Sequence, residues 1–316
     1  MGMDLKSLWL CDIITKISHF GGSTMQRVDL NGIWQGICYL ENGNEDFSFE
    51  GSVPGCVHTD LMGTKIPEDI FYRDNYEDCQ WIEKRDFRYT KTFDISSLPE
   101  KAVLVFGGLD VYADIYVNNN LIASSDNMFI EYRFDVSKHL KVGINEISVY
   151  FNSPIKRVEG LEERPGAFTK ERMHTRRIQC TYGWDWVARF VTCGIWRDVY
   201  LDCNTAFDVQ NVYIYTESIN DDFAQIVVEA EFVNFENGGY ADLEILNPVG
   251  ETIYKHRWFK KEKDFKEYID IENPKLWYPL GYGNQPLYTL RMCGKEYKFG
   301  IRTVRILQKP DNPGSE

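Results

Sequence analysis

A chain of 316 residues is long enough for about two domains, each able to bury its own core. An apolar content of 43% with 26% charged residues describes a globular chain, and 48 acidic against 35 basic side chains leave a net charge of −13. With no basic stripe to offset that acidity, nucleic acid and anionic membrane are excluded as expected partners, and no stretch reads as a membrane span or coiled coil.

Aromatic residues make up 15% of the sequence, which favours strands. Residues 1–24 are read as an extension outside the fold. The most apolar stretch there, 7–20, is interrupted by Asp12 and Lys16, is too short to span a bilayer, and lacks a basic leader and a small-residue cleavage site. The loose helical spacing of Leu8, Ile13 and Ile17 leaves an amphipathic helix as the alternative. From Met25 the pattern is strand-like. A short helical turn fits 57–62, closed by Gly63. Val103-Leu104-Val105-Phe106 is a compact apolar run ended by two glycines. Val111, Ala113, Ile115 and Val117 then alternate with polar or aromatic residues before Asn118-Asn119-Asn120 and Leu121-Ile122, which together predict a hairpin. Asp135 can cap a turn running to Leu140, and Ile147, Val149 and Phe151 alternate in a further strand.

A boundary is expected between Cys203 and Asp208. Beyond it, strands are predicted at 209–215, 224–233, 241–246, 268–271, 287–292 and 297–306, separated by turns such as Asn237-Gly238-Gly239. The fold class is therefore all-β. A jelly-roll sandwich is expected over 25–203 and an immunoglobulin-like sandwich over 204–306, with a linker at 307–316.

The eight cysteines form no C-x-x-C pair and no N-x-[ST] acceptor occurs, so reduced thiols in a cytoplasmic protein are expected rather than a disulfide or zinc framework. The five histidines are scattered. Cys56-Val57-His58 brings two potential metal ligands together but no second pair is evident, and neither a metal nor a cofactor is expected. Nucleotide-binding glycine loops, H-E-x-x-H and G-x-S-x-G are all missing. Glycoside hydrolysis calls for two suitably spaced carboxylates, and no clear pair shows; Asn44-Glu45 and Asn145-Glu146 are read as structural.

One segment resists a purely structural reading: Thr181-Tyr182-Gly183-Trp184-Asp185-Trp186, followed by Gly194-Ile195-Trp196-Arg197. If extended, it puts Trp184 and Trp186 on one face and Asp185 on the other. Indole faces stack on the C–H face of a sugar ring, and a carboxylate accepts sugar hydroxyl protons. Spacing alone leaves two alternatives open, core aromatics with a structural ion pair from Asp185 to Arg176, Arg177 or Arg189, or contact with a sugar.

The sequence resembles the opening of glycoside hydrolase family 2 enzymes, the β-mannosidases in particular. The resemblance is carried by Val53-Pro54-Gly55-Cys56-Val57-His58-Thr59-Asp60-Leu61, Gln80-Trp81-Ile82, Phe106-Gly107-Gly108-Leu109-Asp110, Asn127-Met128-Phe129 and above all Gly183-Trp184-Asp185-Trp186. Later, Leu276-Trp277-Tyr278-Pro279 and Phe299-Gly300-Ile301-Arg302-Thr303-Val304 are similar to the family's second domain. The resemblance implies a sugar-binding-like jelly roll, then an immunoglobulin-like domain, then a (β/α)8 barrel with both catalytic glutamates. The expectation is that this chain stops before the barrel, so that no residue inherits a catalytic role and the chain is inactive alone. The resemblance also implies that a first-domain loop helps bind terminal β-linked mannose in the barrel's pocket, with Asp185 and Trp184 as contacts and Arg177 and Tyr182 as further candidates. The family commonly continues Gly-Pro after this motif, whereas Val187-Ala188 follows here. The alternatives are a stand-alone carbohydrate-binding or adaptor module, or a family 2 β-galactosidase or β-glucuronidase relative.

Overall fold

Alternation of inward and outward side chains decides the architecture. Over Ala113–Val117, Ala113, Ile115 and Val117 are buried while Asp114 and Tyr116 reach the surface; over Asp264–Glu272, Phe265, Ile269 and Ile271 are buried. The computed structural model describes residues 27–163, 169–220 and 222–308, and over these the protein is all-β. The chain divides into two compact units between Asn204 and Thr205.

The first unit opens with β1 (Arg27–Asp29), β2 (Gly32–Tyr39), β3 (Glu45–Val53), β4 (Asp86–Ile95), β5 (Val103–Phe106) and β6 (Leu109–Asp110). It continues with β7 (Ala113–Val117), β8 (Asn120–Ser125), β9 (Tyr132–Asp135), β10 (Gly143–Phe151), β11 (Gly194–Ile195) and β12 (Val199–Asp202). A six-stranded antiparallel sheet, β3-β2-β4-β10-β7-β8, and a four-stranded sheet, β1-β12-β5-β9, form a jelly-roll sandwich, with β6 and β11 as a separate pair. The predicted hairpin is β7–β8, turned by Asn118 and Asn119 with φ of 48° and 65°. The core runs through Trp34, Phe87, Tyr89, Leu104, Phe106 and Phe151. One row across the large sheet shows how its aromatics fit: Phe49, Gly36, Tyr89, Val149 and Ile115 are register partners in turn. The missing side chain at Gly36 lets the rings of Phe49 and Tyr89 meet over it edge to face, with centroids 5.6 Å apart.

The second unit has β13 (Asp208–Ile219), β14 (Phe223–Val233), β15 (Gly239–Leu246), β16 (Thr252–Lys260), β17 (Asp264–Glu272), β18 (Tyr288–Met292) and β19 (Lys295–Phe299). Sheets β13-β14-β17 and β16-β15-β18-β19 enclose Ile226, Val228, Phe232, Leu243, Ile245 and Leu290 in an immunoglobulin-like sandwich. Two expectations need correction. No strand was predicted at β16, because this edge strand has no fully buried residue and carries Lys255, His256 and Arg257 in succession. The strand predicted over 297–306 ends at Phe299, since its partner β18 begins at Tyr288, the register mate of Phe299. Ile301 instead bridges to Leu276 and accepts from Trp277 N at 2.9 Å.

Short helical turns complete the first unit: α1 (Val57–Leu61), α2 (Pro154–Val158) and α3 (Lys170–His174). The predicted turn after Asp135 is a single 3-10 turn, Ser137–His139, with Asp135 Oδ1 accepting from Ser137 N at 2.9 Å. Asn145, flagged beside Glu146, is fully buried; its amide holds Lys141 and Gly143 in a turn, while Glu45 pairs with Arg88 at the surface. The expected extension 1–24 lies outside the described residues, as does the expected linker apart from Leu307 and Gln308, which are exposed.

The start of α1 is attached to the β11 segment by backbone hydrogen bonds. Gly55 N donates to Ile195 O and Val57 N to Cys193 O, both at 2.9 Å, and Gly194 between them has φ 156°. A Cβ on Gly194 would lie 2.6 Å from Gly55 O, a backbone atom that cannot swing aside. Gly194→Ala should therefore destabilise the chain by about 1–3 kcal/mol or more. A urea titration checks this, and an unchanged midpoint would show that the α1 segment yields.

Candidate functional site

Thr175 and Arg177 are buried with Arg176 exposed between them, so the segment entering the Trp184 loop sinks alternate side chains into the first unit. Arg177 is 1% exposed. Its Nη2 donates to Asp110 Oδ2 at 2.8 Å and its Nη1 to Thr192 O at 3.0 Å. Asp110 ends β6, where it pairs with Gly194 of β11, so one ion pair ties the loop's entry to both short strands. Burial pushes the Asp110 carboxyl up to about 6 although the Arg177 guanidinium works in the other direction.

Tyr182 is 3% exposed, and the guanidinium groups of Arg177 and Arg189 each lie 5.4 Å from its ring centre. Arg189 is held in turn by Glu83 Oε2 at 2.6 Å, and its carbonyl accepts from Gln80 Nε2 at 2.8 Å. Gly183, with φ 88°, then redirects the backbone. Trp184 N donates to Val187 O at 3.0 Å and Val187 N to Trp184 O at 3.4 Å, which makes a tight turn with Asp185 and Trp186 at its tip. The extended conformation entertained from the sequence is thus corrected. Arg172 donates to Gly183 O and lies 5.0 Å from the centre of the Trp184 ring. Phe190 N closes the loop's base on Thr181 O at 2.8 Å.

The four candidates consequently separate into two pairs. Asp185 is exposed and Trp184 is 45% exposed, with Trp186 beside them at 74%. The core-aromatic alternative fails on that exposure. The structural ion pair fails because Arg177 is taken by Asp110 and Arg189 by Glu83 and Glu171, and among the described residues no ion pair reaches Asp185. Arg177 and Tyr182, expected as direct contacts, are buried beneath the loop instead. A guanidinium with a carboxylate and a carbonyl to satisfy is held inside, and the phenol ring packs against it. Asp110 and Arg172 were not singled out from the sequence, and Asp110 lies 67 residues from its partner.

His58 sits under the same loop. It is 4% exposed, meets Phe190 edge to face at 5.6 Å, and its pKa is lowered to about 4, first by burial and then by Arg177. Among the described residues no cluster of His, Cys, Asp and Glu forms a metal site.

Comparison with known families places both units. Residues 39–197 match the glycosyl hydrolase 2 galactose-binding domain-like family, and residues 207–302 match glycosyl hydrolases family 2. The chain belongs to glycosyl hydrolase family 2. Within that family it is similar to a β-mannosidase B of Neosartorya fischeri, 30% identical over 83% of this chain and 33% of the relative. It is also 30% identical to the β-mannosidase of Capra hircus, over 91% of this chain and 36% of the relative. The chain thus spans about a third of the length of these curated relatives, corresponding to their N-terminal part. Among solved structures, the β-D-mannosidase of Dictyoglomus thermophilum superposes with a TM-score of 0.81 at 31% identity, covering 92% of this chain and 38% of that one. A β-glucuronidase of Bifidobacterium dentium shares the fold, with a TM-score of 0.59 at 20% identity over 91% of this chain and 50% of its own.

Breaking the buried pair and removing the exposed carboxylate should have opposite costs. Arg177→Met leaves Asp110 buried without its cation and should destabilise by about 3–5 kcal/mol, whereas Asp185→Ala should stay within about 0.5 kcal/mol of the parent. Thermal melts of the two variants check this, and a large loss in Asp185→Ala would reveal a structural partner for that residue.

Acid should find His58. The unfolded chain binds its proton near 6.5 and the folded one only near 4, so the stability present above pH 6.5 falls as pH drops through this window, by about 3 kcal/mol in total. Asp110, raised to about 6, works oppositely as it takes up a proton. His58→Gln should therefore lose less stability than the parent between pH 7 and pH 4.5 in parallel urea titrations. Equal losses would place the acid sensitivity elsewhere.

Proposed function

We propose that these residues form the N-terminal, non-catalytic part of a β-mannosidase-like retaining glycoside hydrolase acting on terminal β-linked mannose. The observation that carries this reading is the likeness to the Dictyoglomus β-D-mannosidase, which covers 92% of the chain at 31% identity and exceeds in both identity and TM-score the likeness to the glucuronidase. The two sandwiches support a catalytic barrel, and the Trp184–Val187 turn lines part of its sugar pocket. Asp185 accepts hydroxyl protons from the mannose and Trp184 offers a ring face. Arg177, Asp110 and Tyr182 position that turn from beneath rather than touching sugar. Seven free cysteines among the described residues support a reducing, cytoplasmic setting for the protein.

The test begins with the coding sequence that follows Glu316 and an assay of its full product on chromogenic glycosides. That product should cleave the β-mannoside in preference to the β-galactoside and β-glucuronide. Asp185→Ala should lower its kcat/KM by roughly 10–100-fold, the worth of one hydrogen bond to a charged group, with no change in melting. The 316-residue chain by itself should leave the mannoside intact. Preference for another glycoside, or turnover by the 316 residues that survives repurification, would overturn the reading.

A further inference from the structure

The second unit turns an aromatic row outward on its three-stranded sheet. Ile226 and Val228 of β14 point into the core, so Val227 between them faces away from it, yet Val227 is fully buried. Its register partners supply the cover, Tyr215 of β13 on one side and Tyr268 of β17 on the other. Tyr213, two residues along β13, brings its ring to 5.2 Å from that of Tyr215 at an interplanar angle of 31°. Tyr213 is 61% exposed and Tyr268 54%, while Tyr215 is half-buried. Rings that shield Val227 lie over the sheet, and the faces they turn outward have little freedom left to lose on binding.

Polar rows flank the aromatic one on both sides. On one side Glu229 and Lys266 are register partners joined by an ion pair at 2.8 Å, and the Tyr215 hydroxyl donates to Glu229 Oε1 at 3.3 Å. On the other, Gln225 Nε2 donates to Asp270 Oδ1 at 2.9 Å. Neighbouring strands lie about 4.8 Å apart, so Tyr215 and Tyr268, with one strand between them, are about 10 Å apart at the backbone. An extended β-1,4-linked hexose chain repeats over a disaccharide of that same length, and every second ring returns to the same orientation. Two phenol faces at this spacing take the C–H faces of alternate sugars, and the polar rows meet the hydroxyls at the ribbon's edges. Acidic side chains are in excess here. Glu229 and Glu231 are paired with Lys266 and Lys263, but Asp264, Asp270 and Glu272 are in no ion pair among the described residues, so an anionic polymer is repelled.

We propose that the outer face of the β13-β14-β17 sheet is a docking platform for a neutral, extended β-1,4-linked polysaccharide, which crosses the strands along the Tyr215–Val227–Tyr268 row. The platform is built wholly within the second unit. It holds a polymer surface and has no part in recognising a terminal sugar, so it does not depend on the mannosidase reading above.

The experiment is depletion of the 316-residue chain from solution by insoluble cellulose, linear β-1,4-mannan, granular starch and cross-linked polygalacturonate. Saturable binding to cellulose or mannan is expected, with roughly tenfold weaker retention on starch, which has no straight ribbon, and on the anionic polymer. Tyr268→Ala and Tyr215→Leu should each weaken binding about tenfold, the worth of one aromatic face, whereas Tyr268→Phe should keep it. Leucine at position 215 still covers Val227, and Tyr268 is half exposed, so melting curves should stay close to the parent's. Tyr240→Ala removes an equally exposed tyrosine from the other sheet and should bind within about twofold of the parent. The proposal is overturned by no binding to either ribbon polymer, by equal binding to starch or polygalacturonate, or by binding that survives Tyr268→Ala. The last outcome would put the polymer elsewhere on the chain. Hydrolysis of a small chromogenic mannoside by the full product needs no ribbon, so the two ideas fail separately.

Discussion

A guanidinium and a carboxylate, buried together 2.8 Å apart, set the geometry of everything displayed above them. Taking two charges out of water is costly, and the pair leaves Asp110 Oδ1 and Arg177 Nε without hydrogen-bond partners among the described residues. Such a pair is a poor way to gain stability. Its effect is positional: it fastens the loop's entry to β6 and β11 at one point, while Arg189, Glu83 and Gln80 fasten its exit at another. Between these anchors the chain has room only for a tight turn, and the turn projects Asp185 and the two indoles outward. The loop is thereby ordered by side chains that remain out of solvent.

The same economy of space governs the sandwich beneath. Gly36 lets two rings from strands on either side meet, and Gly194 lets the α1 segment lie directly on β11. Each is a position where a missing side chain brings aromatic or backbone groups into contact. His58 then packs edge to face on Phe190 beneath the loop, and the largely exposed Phe71 meets the same Phe190 ring edge to face. Burial there suits a neutral imidazole, and the neighbouring guanidinium adds to the cost of protonating it.

Much of this fold is written in local pattern. Ala113, Ile115 and Val117 announce a strand because one face is dry and the other wet, and Asn118-Asn119 announces its turn because both residues tolerate positive φ. β16 is silent because only Tyr254 and Trp258 of this edge strand pack on the core, and the charged run Lys255-His256-Arg257 between them hides the alternation. The site was legible in composition but not in geometry. Indoles flanking a carboxylate singled out a loop whose tip is exposed, yet two-residue spacing assumed an extended chain where Gly183 and Val187 impose a turn. Nothing local distinguishes the arginine that goes inside from its neighbour Arg176, because the choice is made by a carboxylate 67 residues earlier. The family resemblance supplied the architecture that spacing could only suggest.

Every anchor of the Trp184 turn, from Gln80 and Glu83 through Asp110 to Arg189, belongs to the first unit. Domains fold largely as units, and during synthesis the N-terminal one has the earliest chance to do so. The turn can therefore reach its final shape on the ribosome while the second sandwich is still being made. It would then be a finished surface, a mould already set, before the rest of the chain has folded.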